Sequence, residues 1–372
     1  MELNKLFKTM MAGAMALSLA ACGSSDGGST SSTASSTADS GSAGGEGEVS
    51  VFYYTYGDDY ISTVRAALDK DLEDAGITYA DYDGGNSQTT QTEQVQTAIS
   101  KGSKCLVVNL VDTASQDAAK EIITQAETAG IPVIFFNRSV DEEVISAYDK
   151  AAFVGTDYEM AGKMQGDMIG EYLNANYDAT DLNGDGVISY IMLKGQEGNA
   201  EADARTQYGV ENADAKLAEE GHEALAYYKA DAPTKYELDK DGAWSAAQGT
   251  DIVQNALSQY NEENGDMIEL VIANNDGMAL GALSALQNAG YNDGEGKTIP
   301  IFGVDALDDA KTAIDEGKMT GTIKQDGEGM AAAICQMVQN MMAGKDKFEG
   351  LDSANVVGTW RINIPYSEYK AD

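Results

Sequence analysis

From residue 49 to residue 362, short runs rich in Val, Ile and aromatic residues alternate with longer stretches whose apolar positions recur every three to four residues. The short runs predict strands at 49–56, 77–82, 105–111, 131–137, 152–156, 187–194, 224–228, 268–274, 298–304, 320–323 and 356–362. Helices are predicted in most of the gaps. Over 60–75, Val64, Leu68 and Leu72 stand at i, i+4 and i+8 on one face, and Gly76 stops the helix. Comparable helices end at Gly102, Gly130, Gly290 and Gly317, and no Pro interrupts them. Such alternation is the pattern of βα units around parallel sheets. Four strands before residue 140 and about six after 150 predict an α/β fold of two doubly wound lobes in series. Ligands of open α/β sheets sit beyond the carboxyl ends of the strands. Polar residues stand there: Asp58, Tyr60, Asn109, Asn137, Asn275 and Asp305.

Composition narrows the ligand. The 372 residues suit about two domains of roughly 150 each. Lys plus Arg number 24 against 61 Asp plus Glu, a net charge of −37 that repels nucleic acids and anionic lipid surfaces. One histidine, His222, and three cysteines leave little for a zinc site, a Ser-His-Asp triad or a disulfide framework, so binding is expected and not catalysis. Cys105 and Cys335 read as small buried hydrophobes. No strand end is followed by a glycine-rich phosphate loop, which argues against a nucleotide. Carboxylates and amides without a cationic cluster suit a neutral polyhydroxyl compound, whose hydroxyls donate to Asp and exchange hydrogen bonds with Asn. A sugar fits, with Tyr60 and Trp244 as aromatic walls. Each of these polar residues would serve equally as a helix cap or turn former; their recurrence along one crevice edge is the stronger signal.

The amino terminus carries Lys5 and Lys8, then an uncharged apolar run over 10–21, the layout of a secretory signal and too short to span a bilayer. It ends in Leu19-Ala20-Ala21-Cys22, which resembles the lipobox of bacterial lipoproteins, cut before a cysteine that then receives diacylglycerol. Loss of 1–21 removes Lys5, Lys8 and Glu2, a net +1, leaving −37 − 1 = −38. The Ser-, Thr- and Gly-rich segment 22–48 reads as a tether with a typical span of about 28 Å. A lipid-anchored protein facing outside the cytoplasm is expected.

Asp181-Leu-Asn-Gly-Asp-Gly-Val-Ile-Ser189 has oxygen side chains at loop positions 1, 3, 5 and 9 and Gly186 at position 6, the first two-thirds of an EF-hand loop. Asp181, Asn183 and Asp185 can surround a hard cation, with the Val187 carbonyl at position 7. Position 12 is Met192 in place of a bidentate glutamate, and a strand follows, so one carboxylate must come from elsewhere.

The lipobox, the two βα lobes, this loop running into Leu193-Lys-Gly195, and Tyr54-Thr-Tyr-Gly-Asp-Asp-Tyr60, Val108-Asn-Leu-Val-Asp112, Phe135-Phe-Asn137, Val154-Gly-Thr-Asp157, Ala202-Asp-Ala-Arg205, Val271-Ile-Ala-Asn-Asn-Asp276 and Phe302-Gly-Val-Asp-Ala-Leu307 together resemble the galactose/glucose-binding proteins of bacterial ABC sugar transporters, of the type I periplasmic binding protein class. The resemblance implies that Glu269 completes a structural Ca²⁺ shell of Asp181, Asn183, Asp185 and Val187, with Ser189 standing where glutamine is usual. It implies a pyranose held between Tyr60 and Trp244 and hydrogen-bonded by Asp58, Asn137, Arg205, Asn275 and Asp305. Asn199, Glu201 and Gln325 stand at site positions where the family has histidine, aspartate and asparagine. It further implies three crossovers, near 154–156, 322–325 and 356–361. One lobe would then be 49–154 plus 325–356 and the other 156–322 plus 361–372. The function implied is a monomeric, non-enzymatic receptor that closes over an aldopyranose, galactose or glucose first and a pentose such as xylose as the rival, and is read by an ABC permease. A chemoreceptor is left open as a second partner. A calcium-dependent lectin and a glycoside hydrolase are the alternatives of another class.

Overall fold

Strands covered on both faces read as unbroken apolar runs, and the computed structural model, which describes residues 48–294 and 296–371, builds the centres of its sheets from such runs. The first lobe contains β1 (Val49–Tyr53), α1 (Asp59–Asp74), β2 (Tyr79–Asp83), α2 (Gln88–Ser100), β3 (Cys105–Val108), α3 (Asp117–Ala129), β4 (Val133–Phe136), α4 (Glu142–Ile145) and β5 (Ala151–Gly155). Then follow α5 (Tyr158–Thr180), β6 (Ser189–Lys194), α6 (Ala200–Glu220), β7 (Ala226–Tyr227), β8 (Glu237–Leu238), α7 (Ala246–Leu257), β9 (Leu270–Ala273), α8 (Asp276–Asn288), β10 (Ile301–Asp305), α9 (Asp308–Asp315) and β11 (Gly321–Gln325). The chain ends with α10 (Gly327–Met342), β12 (Val356–Val357), β13 (Arg361–Asn363) and β14 (Tyr366–Lys370).

Among the described residues these strands make two seven-stranded sheets. One has the order β12-β13-β5-β4-β3-β1-β2, and the other β14-β11-β10-β9-β6-β7 with β8 also on β6. Pairing is parallel except for β12 and β14, each antiparallel to its neighbour. Helix α10 packs on α1 and on β3, β4 and β5, so the chain returns to the first lobe after β11. The third crossover lies between Asn363 and Tyr366, later than the expected 356–361. Arg361, Ile362 and Asn363 pair with Phe153, Val154 and Gly155 in the first sheet, and only β14 belongs to the second. The expected strand at 356–362 is broken at 358–360 into β12 and β13. Pro365, with no N–H to give a ladder, separates β13 from β14.

Helix α6 carries Glu201 and Arg205, with Asn199 at its cap, and its depth is set by α5. Gly162, Gly166 and Gly170 recur every fourth residue on the face of α5 that meets α6, where an added Cβ would lie 2.6 Å from the Ala204 carbonyl, 2.6 Å from that of Tyr208 and 2.2 Å from Lys216 Cβ. Only hydrogen at these positions admits the close approach. Cys105 and Cys335 are free and buried. Cys22, the signal at 1–21 and the tether up to residue 47 lie outside the described residues. Among those described, no helix is long and apolar enough to cross a membrane.

Candidate ligand-binding site

The carboxyl ends of the strands in both sheets face one small cavity between the lobes. Asp58, Tyr60 and Asn137 line it from the first lobe, and Asn199, Glu201, Arg205, Trp244, Asn275, Asp305 and Gln325 from the second. The structure thus brings all ten residues singled out from the sequence to one place. Asn109, also at a strand end, is fully buried behind them: its side chain accepts from the Tyr54 N–H and donates to the Phe136 carbonyl and to Asn137 Oδ1. It holds Asn137 in place.

Capping and lining coincide here. Asp58, Asn199 and Asn275 are the N-caps of α1, α6 and α8, accepting from the N–H groups of Ile61, Ala202 and Met278. One side-chain oxygen fixes the helix start, and the bond fixes the direction of the remaining polar atoms. Asp58 also accepts from the Tyr54 hydroxyl at 2.5 Å, and Asn275 donates to the Trp244 carbonyl at 3.0 Å.

Arg205 is the buried cation of the site. Nη1 donates to the Asn274 carbonyl at 2.8 Å, and Nη2 to Gln325 Oε1 at 2.9 Å and to the Tyr366 hydroxyl at 3.4 Å. The Tyr366 hydroxyl also donates to Gln325 and lies 2.8 Å from Thr156 Oγ1, which ties β14, β11 and the end of β5 around the guanidinium. Arg205 Nε, Glu201 Oε2, Trp244 Nε1 and Arg138 Nη2 are buried without a hydrogen-bond partner in the protein. Donors and an acceptor of this kind are costly unless a ligand meets them.

Backbone strain gathers at the same place. Asn137, Trp244 and Asp305 have φ of 63°, 57° and 126°, conformations a bulky residue rarely adopts. The indole of Trp244 lies flat over Gly195, where a Cβ would come within 2.2 Å of the ring. The guanidinium carbon of Arg205 is 5.8 Å from the ring centroid.

Sequence reasoning missed Arg138 and Tyr54. Arg138 donates through Nη1 to the carbonyls of Leu110 and Val111, and its guanidinium carbon lies 3.6 Å above the Tyr54 ring. A lone arginine after a strand reads as a surface residue; the available signal was its position directly after Asn137.

Asp276 accepts from Thr322 Oγ1 at 2.6 Å and the Leu307 N–H at 2.8 Å, which shapes the turn bearing Asp305. Burial pushes the Asp276 carboxyl up to about 7, against the pull of these donors and of Arg205. Asp305 is also pushed well above the usual range, by burial, with Arg205 opposing and Asp276 and Asp58 adding to the rise. The folded state therefore holds a proton at Asp276 that the unfolded chain releases near pH 4. Its contribution to stability is full below about pH 4 and is lost as pH rises to about 7. Urea unfolding should show a slope shallower in Asp276→Asn than in the wild type by up to about 1.4 kcal/mol per pH unit. Equal slopes would contradict it.

The loop 181–189 lies at the opposite, amino-terminal ends of β6 and β9. Glu269, just before β9, accepts from the N–H groups of Leu182, Asn183 and Ser189 at 2.7, 3.1 and 3.0 Å. Asp181 accepts from the N–H groups of Gly184, Asp185 and Gly186, and Asp185 Oδ2 from the Asn183 amide. Ser189 Oγ donates to the Met267 carbonyl. Among the described residues no three His, Cys, Asp or Glu side chains gather at one point, because these carboxylates are turned onto backbone N–H groups. The donor set itself, all oxygen with the sharp turn at Gly186 (φ 84°), fits a hard cation.

The model of the periplasmic binding protein domain matches residues 49–346. The D-galactose/methyl-galactoside binding periplasmic protein of Haemophilus influenzae is 38% identical over 306 residues, 82% of this chain and 84% of that protein. The ribose import binding protein of Escherichia coli is 25% identical, over 80% of this chain and 85% of its own. An ABC transporter solute-binding protein from Bacillus halodurans, solved with bound myo-inositol, superposes with a TM-score of 0.67 at 24% identity, covering 88% of this chain and 95% of its own, and supports the fold. With two parallel-sheet lobes closing on one polar cavity, the chain belongs to the periplasmic binding protein domain family.

Proposed function

We propose that this protein is an extracytoplasmic, non-enzymatic receptor that takes an aldopyranose, D-galactose or D-glucose, between its lobes and delivers it to the permease of an ABC importer. The observation that carries this reading is the cavity in which buried donors and an acceptor converge beside an indole. Hydroxyls satisfy both kinds of group, and the C–H face of a pyranose packs on aromatic rings. The galactose-binding relative from Haemophilus supports the choice of hexose. A pentose is the second reading, favoured by Glu201 and Gln325, each one methylene longer than the aspartate and asparagine that the resemblance implies. In this account Cys22 carries the lipid anchor and the receptor is a monomer. Thermal unfolding of the full chain with D-galactose, D-glucose, D-xylose and D-ribose tests the ligand class. A sugar at 100 times its dissociation constant should stabilise by about 2.7 kcal/mol. Stabilisation by an amino acid and by none of the sugars would reject it.

We further propose that Asp181, Asn183, Asp185, the Val187 carbonyl, Glu269 and Ser189 hold Ca²⁺, which joins the loop to the strand start and has no part in ligand contact. Excess EGTA should then lower the melting temperature, with sugar binding retained below the new midpoint. An unchanged melting curve would reject the site.

A further inference from the structure

The cavity is walled by residues of both lobes, and Asn199, Glu201 and Arg205 are 1%, 5% and 4% exposed, so a ligand enters only when the lobes part. Direct protein hydrogen bonds cross the cleft. Ser139, in the turn after β4, donates its backbone N–H at 3.0 Å and its hydroxyl at 2.6 Å to Glu201 Oε1, in the first turn of α6. Asn199 Nδ2 donates to Thr113 Oγ1 at 3.3 Å, and Asn86 Nδ2 to the Asp241 carbonyl at 2.7 Å. Glu201 lines the cavity, and its second oxygen, Oε2, is buried with no partner in the protein. Ser139 is not among the lining residues.

We propose that Ser139 is a positioning residue for ligand capture: it fastens Glu201 Oε1 across the cleft, so the protein's own bonds favour the closed state and Oε2 is left to accept one hydroxyl of the ligand. The glutamate length matters. An aspartate would withdraw the carboxylate by roughly 1.5 Å, beyond hydrogen-bond reach of Ser139. The acceptor role of Oε2 rests on the sugar reading above; the fastening does not.

Small-angle scattering of the full chain reads the fastening, and calorimetry with D-galactose reads the acceptor. Ser139→Ala should enlarge the radius of gyration of the sugar-free protein and weaken D-galactose about three- to tenfold, because a smaller fraction of molecules is closed. Ser139→Thr, which keeps the hydroxyl, should restore both. Glu201→Gln should do the reverse: its amide oxygen still accepts from Ser139, so the protein stays compact, while the NH₂ that replaces Oε2 costs tenfold or more in affinity. An unchanged radius and affinity in Ser139→Ala, failure of Ser139→Thr to restore them, or expansion of Glu201→Gln would overturn the proposal. Expansion of Ser139→Ala in a protein whose wild type binds none of D-galactose, D-glucose and D-xylose would support the fastening and reject the acceptor role, and with it the sugar reading.

Discussion

Arg205→Met is expected to weaken the wild-type ligand by at least about 100-fold and to cost about 1–3 kcal/mol of stability for each buried partner it leaves unsatisfied. Methionine keeps much of the volume but leaves the Asn274 carbonyl, Gln325 Oε1 and the Tyr366 hydroxyl without the cation that joins them. Asp305, whose carboxylate Arg205 favours, would rise further and hold its proton more firmly. A loosened Gln325 presents the wrong donors and acceptors to a hydroxyl. Arg205→Lys should fail almost as badly, since one ammonium cannot reach the Asn274 carbonyl and Gln325 while also pointing a donor into the cavity. Calorimetry and urea unfolding check the two effects separately, and a Met variant with binding within threefold of wild type would refute the assignment.

Trp244→Ala should remove ligand binding to a similar degree and destabilise by about 3–5 kcal/mol. The indole is 8% exposed, packs on Gly195 and belongs to the core of the second lobe. Its backbone adds a distinguishing feature. With φ at 57°, alanine keeps the strained conformation and loses the packing, whereas glycine loses the same packing and relieves the strain. Trp244→Gly should therefore be more stable than Trp244→Ala by about 1 kcal/mol, contrary to the usual order of these two residues. An alanine variant that is the more stable, or that keeps full affinity, would contradict the reading.

The two sheets were legible because helices cover both of their faces, which writes their central strands as apolar runs such as Val133–Phe136. Strand β14 was not, because Tyr-Ser-Glu-Tyr-Lys lies on a sheet edge with its side chains partly or largely exposed and carries no apolar run. The return of α10 to the first lobe is likewise invisible to periodicity. An amphipathic stripe states that Met330, Ile334, Met337 and Val338 are buried, not which sheet they cover; the family resemblance supplied that. At the site, residues directly after strands were legible because strand ends and helix caps share one chemistry. Arg138 and Tyr366 were not, since they act through carbonyls, rings and hydroxyls that only the folded chain brings near. Asn109 shows the converse: a polar strand end with the right look that serves only to brace its neighbours.

Calorimetric titration of the full chain with a monosaccharide panel, repeated on Arg205→Met, tests the central claim most directly. The account predicts one-to-one binding of D-galactose, D-glucose or an aldopentose by the wild type, and its loss in the variant. Binding of a furanose, a disaccharide or an amino acid in place of every aldopyranose, or sugar binding that Arg205→Met leaves intact, would contradict it.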